Sequence, residues 1–180
     1  MVGMRLVGGT ALALQYGHRK SIDLDFFGTL DADDETLREQ LRTCGILKIY
    51  SETPNIKVYF INGIKVDVVN YSYPWIEEAV IDEGVMLASV KDIAAMKIAA
   101  IEGRGTKKDF IDIDELLKHF SLSDILSYYK EKYEESSTFR AILSLSYFED
   151  AELQPMPLMF TDVEWESVKE NIIKAISTFQ

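Results

Sequence analysis

The chain has 180 residues, 47% of them hydrophobic and including nine Phe, nine Tyr and two Trp, which suffices for one domain or two small lobes sharing a core. Its net charge of −11 argues against broad, non-specific nucleic-acid binding, which depends on Lys/Arg patches, although a local basic surface stays open. A single Cys44 excludes an intramolecular disulfide framework and suits a reducing compartment, and two isolated histidines offer no zinc pattern. No run reaches the roughly 18 apolar residues of a membrane span. Arg5 and a glycine pair interrupt any apolar N-terminal stretch, so no signal peptide is read and a soluble cytoplasmic protein is expected.

Residues 6–27, LVGGTALALQYGHRKSIDLDFF, carry the densest chemistry. Leu6 and Val7 run into a Gly8-Gly9 turn, Thr10 stands where a helix N-cap is expected, and Gly17 is placed to stop that helix. Paired glycines at a helix start let backbone N–H groups approach an anion, with the helix dipole adding to the attraction. In an extended segment, residues two apart share a face, so Asp23 and Asp25 present adjacent carboxylates. These repel unless a cation lies between them, and a hard divalent ion such as Mg2+ takes oxygen ligands of this kind. Phosphate at one end and a carboxylate pair at the other describe a nucleotide site.

The order GG-T-A-L-A-L followed by G-H-R-x-S-x-D-L-D-F-F resembles the AbiEii/AbiGii-type nucleotidyltransferases, toxins of bacterial toxin–antitoxin and abortive-infection systems and distant relatives of DNA polymerase β-like nucleotidyltransferases. A bare GG or a bare DxD is weak, whereas the two together at this spacing are specific. The resemblance extends over nearly the whole chain. Relatives usually carry a helical segment ahead of the glycine pair. Here only seven residues precede Gly8, which leads us to expect an altered N-terminal lobe and an apolar patch in need of a partner.

Further along, Asp31 to Asp34 supply capping acids for a helix to about Thr43, with Gly45 beyond its end. Ile46 to Tyr50 is a short strand, and Ile56–Ile61 and Ile64–Tyr71 flank Asn62-Gly63, a strong hairpin signal. Alternation places Asp67 on one face with Lys65 and Val69, opposite Val66 and Val68. Asp67 is either an edge residue facing water or, as the resemblance implies, the third acid of a metal site. After a polar connection containing Tyr73, Pro74 and Trp75, Val85 to Ala88 reads as a last strand. From Ser89 the periodicity turns helical. Ser89-x-x-Asp92 is a capping-box variant opening a helix through Ile93, Met96, Lys97 and Ala100, which Gly103-Arg104-Gly105 ends or kinks. Helices follow at 109–120, 123–133 and 138–148. Pro155 and Pro157 mark a turn, and Thr161-x-x-Glu164 caps a last helix ending near Phe179.

Residues 97–113 form a local cationic excess in an acidic chain: Lys97, Arg104, Lys107 and Lys108 meet only Glu102 before Asp109. Lys97 and Arg104 share a face if the helix continues through Gly103, and Asp109 and Asp112 can do likewise. One reading is a solvated basic turn with capping acids. The resemblance implies another, matching the family at Lys97, Arg104, Lys108, Asp109 and Asp112, with the cations on nucleotide phosphates. The acids then either orient those cations through ion pairs or take part in the chemistry. His18 and Arg19 follow the family pattern, touching a phosphate or positioning the loop. His119 reads as a helix-end residue, and Tyr128, Tyr129, Tyr133, Tyr147 and Phe148 as core and interface.

The expectation is therefore an α/β (α+β) chain: a small mixed nucleotidyltransferase sheet with flanking helices over residues 1–88, then a helical lobe over 89–180 packed on it as one compact unit. The implied reaction transfers NMP from an NTP to an acceptor, tRNA or protein among the options, with Mg2+ or Mn2+ held by Asp23, Asp25 and Asp67. Gly8, Gly9, Thr10, Lys97, Arg104 and Lys108 would bind phosphate, and a cognate antitoxin would be the partner. An alternative is a non-catalytic nucleotide-binding or interaction protein of that ancestry. A DxD phosphohydrolase is disfavoured, because that fold wants a buried apolar strand where this chain has His18, Arg19, Lys20 and Ser21.

Overall fold

A computed structural model describes residues 3–179. The elements run β1 (Arg5–Val7), α1 (Gly8–Tyr16), β2 (Leu24–Gly28), α2 (Asp34–Arg42), β3 (Leu47–Glu52), β4 (Ile56–Ile61), β5 (Ile64–Asn70), β6 (Val80–Asp82) and β7 (Val85–Leu87). Six helices follow: α3 (Val90–Gly103), α4 (Lys107–Leu117), α5 (Leu122–Lys132), α6 (Thr138–Leu145), α7 (Glu149–Glu152) and α8 (Trp165–Thr178). The strands make one mixed sheet in the order β3-β4-β5-β2-β1-β7-β6. β2 is central, antiparallel to β1 and parallel to β5.

Two apolar clusters hold the layers together. The smaller buries Met4, Leu37, Leu41, Tyr59, Val66 and Val68, fastening α2 to the sheet. The larger begins with Leu6, Val7 and Leu12, passes through Ile93 and Ile98 of α3 and Phe110 and Ile113 of α4, and reaches Val168 and Ile172 of α8. α3 is the central helix, packed against α1, α4, α5 and α6. Its start is capped by Ser89, whose Oγ accepts from the Asp92 N–H, as the sequence pattern predicts. Gly17 takes the left-handed conformation, φ 65°, and its N–H closes α1 on the Ala13 carbonyl at 2.8 Å. Asn62 and Gly63, φ 50° and 85°, form the turn of the β4–β5 hairpin.

Four local expectations need correction. Thr10 does not cap α1: the helix starts at Gly8, with Val7 at the cap position. Gly8 takes φ +69°, a conformation that turns strand into helix at once and shifts the start two residues upstream. α4 starts at Lys107, ahead of Asp109, because Thr106 and Asp109 cap one another there: the Asp109 carboxylate accepts from the Thr106 hydroxyl at 2.6 Å and from its N–H at 3.3 Å. Thr161 caps nothing, since α8 begins at Trp165 after Glu164 without a side-chain cap. The connection after Trp75 contains the edge strand β6, closed on β7 by Glu83-Gly84, both at positive φ. All three β6 residues are exposed, so no alternation marks it in the sequence.

Candidate active site

Strand pairing brings the acids together. Val7 of β1 lies opposite Asp25 of β2, and Asp25 lies opposite Asp67 of β5, in one row across three neighbouring strands. α1 starts immediately after Val7, so a Cβ at Gly8 would meet Asp25 Oδ2 at 2.8 Å. The glycine is needed for that approach as well as for its φ. Asp23 lies one residue before β2. Its carbonyl accepts from the Thr10 hydroxyl, which also lies 2.9 Å from Ser21 Oγ, so Thr10 ties the first turn of α1 to the approach of β2.

Burial, and then the neighbouring Asp67 carboxylate, push the Asp25 carboxyl above its usual range. Asp67 Oδ2 is held by the Lys65 ammonium at 2.6 Å, whereas Oδ1 is buried without a hydrogen-bond partner. Such an acceptor is costly to leave unmade. Among the described residues no three or more His, Cys, Asp or Glu side chains converge as a ready-made metal cage. The residues nevertheless fit Mg2+, which is usually held by one or two carboxylates together with substrate phosphates rather than by an all-protein cage. The unpartnered Oδ1 beside a carboxyl that resists ionisation is the observation behind that fit.

A second cluster lies alongside. Asp112 of α4, fully buried, accepts two hydrogen bonds from Arg19, at 2.7 and 2.8 Å, and lies 2.8 Å from His18 Nε2. The Lys97 ammonium bridges Asp112 at 2.6 Å and Asp109 at 2.9 Å. Arg104 Nε reaches the other Asp109 oxygen at 3.4 Å with 69% of its side chain exposed. Burial works to raise both acids, but Lys97 and the surrounding hydrogen bonds outweigh it and hold both below the usual range. Burial works to lower Lys97, and Asp112 and Asp109 together keep it raised.

Lys97 and Arg104 therefore meet on Asp109 although α3 ends at Gly103. Arg19 also fixes the glycine pair from the other side, since a Cβ at Gly9 would stand 2.2 Å from Arg19 Nη2. Two cavities open on this assembly, both walled by Asp25, Lys97 and Arg104. One, of 290 Å³, adds Gly9, Asp23 and Lys108, and the other, of 430 Å³, adds Gly8, Asp67, Phe27 and Tyr133. His18, Thr10 and Asp112 line neither cavity. The sequence reading overlooked Thr106, Phe27, Tyr133 and the Lys65 ion pair. The Thr106-x-x-Asp109 spacing was a usable signal for the first, whereas nothing local marks the others.

A family model described as nucleotidyl transferase AbiEii toxin of type IV toxin–antitoxin systems matches residues 3–179. An uncharacterised protein of Aquifex aeolicus is 36% identical over 173 residues, covering 92% of this chain and 82% of its own. The fold is shared with a candidate nucleotidyltransferase of Helicobacter pylori, at TM-score 0.64 and 20% identity over 97% of this chain and 84% of that one. It is shared as well with MenT4, a nucleotidyltransferase toxin of Mycobacterium tuberculosis, at TM-score 0.61 and 14% identity over 99% of this chain and 76% of that one. The sheet with its row of acids thus sits in a nucleotidyltransferase fold, and the chain belongs to the AbiEii nucleotidyl transferase toxin family.

Proposed function

We propose that the protein is a divalent-metal-dependent nucleotidyltransferase that moves NMP from an NTP onto an acceptor hydroxyl of RNA or protein. The observation carrying this reading is the Asp25–Asp67 pair on adjacent parallel strands, with Asp67 Oδ1 buried and unpartnered. Asp25 and Asp67, joined by Asp23, would hold Mg2+ or Mn2+. When bound, the ion offsets the charge that builds on the α-phosphoryl group and the leaving pyrophosphate. Asp67 would take the proton of the acceptor hydroxyl, whose oxygen bonds to the α-phosphorus as the bond to the bridging oxygen breaks and pyrophosphate departs with that electron pair.

The strand half of the chain, to Ala88, supplies the acids, and the helical half supplies the cations. The N-terminal turn of α1 offers the N–H groups of Gly8, Gly9 and Thr10, which lack intrahelical acceptors. Lys108 and Arg104, both exposed, are the cations that can engage phosphate, Arg104 by giving up its 3.4 Å contact with Asp109. Lys97 faces the same cavities, but its charge is already shared between Asp109 and Asp112. The type of family implies a cognate antitoxin as partner. The decisive experiment incubates the protein with each labelled NTP and Mg2+ in the presence of total RNA or cell lysate. Label should pass to an acceptor with wild type and not with Asp67→Asn, while that variant still binds NTP. Equal transfer by both would reduce Asp67 to an ordinary strand residue.

A further inference from the structure

A third cavity, of 710 Å³, adjoins the one that Asp25 and Asp67 line, sharing Ala99 of α3 and Tyr133 with it. This volume lies within the range of about 300–1,000 Å³ usual for small-molecule sites. Two residues on its wall each carry a buried polar atom without a partner, Glu102 Oε1 and Ser136 Oγ. Tyr73 and Tyr133 stand edge to face on its wall, with ring centroids 4.8 Å apart, and Tyr73 is half exposed.

The charges here have the wrong sign for phosphate. Glu102, Glu134 and Glu135 face Arg140 and Lys132, and the Lys132 ammonium is already held by Asp92 at 2.7 Å and by the Pro74 carbonyl at 2.8 Å. The cationic cavity lined by Arg104 and Lys108 shares Asp25, Lys97 and Arg104 with the cavity of the acid pair and no lining residue with this one. A nucleotide laid across Asp25 and Asp67 would thus have its polyphosphate in the cationic cavity and its uncharged end in this one. An acceptor rich in phosphates would be repelled.

Resting on the nucleotidyltransferase reading above, we propose that this cavity is the subsite for the base of the incoming nucleotide. Glu102 accepts a hydrogen bond from a base N–H, Ser136 makes a second polar contact, and Tyr73 and Tyr133 flank the ring. A carboxylate oxygen is acceptor only. Adenine, cytosine and guanine offer it an exocyclic amino group, whereas the ring N–H of uracil lies between two carbonyl oxygens that would face the carboxylate. The site therefore selects amino-bearing bases against uracil.

The test is equilibrium titration of ATP, CTP, GTP, UTP and inorganic tripolyphosphate, each with Mg2+, into wild type, Glu102→Gln and Tyr73→Ala. Thermal melts would check that each variant folds, and Glu102→Gln preserves side-chain shape. Wild type should bind at least one amino-bearing NTP more tightly than UTP and than tripolyphosphate. Glu102→Gln should weaken that NTP by roughly tenfold or more, and leave tripolyphosphate no weaker. Tyr73→Ala should weaken all four NTPs by about tenfold, sparing tripolyphosphate. Unchanged NTP affinities with slower transfer in Glu102→Gln would assign the cavity to the acceptor and overturn the proposal. Tripolyphosphate binding as tightly as every NTP would also overturn it, leaving the phosphate site intact. Absence of binding by NTP and tripolyphosphate alike would instead defeat the nucleotidyltransferase reading itself.

Discussion

Asp25 shows what a candidate metal-binding carboxyl costs the fold in stability. Its raised carboxyl means that the folded state favours the protonated form. The resulting penalty is absent at low pH, grows as pH rises past the ordinary value of 3.8 and is complete above the raised one. Asp25→Asn should therefore melt higher than wild type at pH 7 in chelator-treated buffer, with the gain shrinking toward pH 3. Adding Mg2+ should raise the wild-type melting temperature and leave the variant unmoved. A variant that melts lower than wild type at pH 7 would contradict this account. Lys97 and Arg104 separate the two roles that a cation can play here. Lys97→Ala leaves two buried acids short of a partner and should cost about 3–5 kcal/mol in chemical denaturation. Arg104→Ala should hardly change stability, because its side chain is mostly exposed, but should lower NTP affinity roughly ten- to a hundredfold, similarly for all four bases.

At the scale of elements, α1 and α4 are locked together through groups that each helix places by a local rule. Gly9→Ala would drive a Cβ into the Arg19 guanidinium and loosen its grip on Asp112. The expected loss is about 1–3 kcal/mol, as for overpacking elsewhere. It should be accompanied by weaker binding of tripolyphosphate, since the α1 turn shifts with it. Thr106→Ala removes a cap and should cost roughly 1 kcal/mol. It also frees Asp109 to rotate, so a denaturation curve without any change in NTP affinity would separate the cap from the site. The paired Gly8-Gly9 was legible as the turn from strand into helix, but the side of the glycines that Asp25 and Arg19 would occupy was not. That depends on two side chains reaching back from different segments.

Over the whole molecule, the buried and half-buried acids set the response to pH. Asp109 and Asp112 are held low, and the Arg38 hydrogen bonds bring Glu52 down to about 2 against the opposing effect of its burial. Depressed carboxyls stabilise the fold above their unfolded values and lose that contribution as pH falls through the folded ones. The contribution of these depressed carboxyls should thus be complete above about pH 4.5 and fall steeply toward pH 2, the penalties of the raised Asp25 and Asp114 relaxing in the opposite sense. Urea titrations at pH 7, 5 and 3 measure this, and equal midpoints at pH 5 and 3 would refute it. Much of the architecture was legible in the chain: the Asn62-Gly63 hairpin, the Gly17 stop, the Ser89 cap and the alternation that set Asp67 apart from Val66 and Val68. Each is a local signal, because caps, turns and periodicity act over a few residues. The three-residue β6 and the exact start of α1 escaped, since an exposed edge has no pattern and a glycine at positive φ begins a helix without a side-chain cap. The sequence by itself determined which acids and cations were present and set Asp67 on the opposite face of its strand from Val66 and Val68. The tertiary structure alone decided that β2 pairs in parallel with β5, setting Asp25 against Asp67, and that Asp112 meets His18 across 94 residues of chain. Those choices follow from strand pairing and helix packing over the common core, where the burial of distant apolar residues selects the register and leaves no local trace.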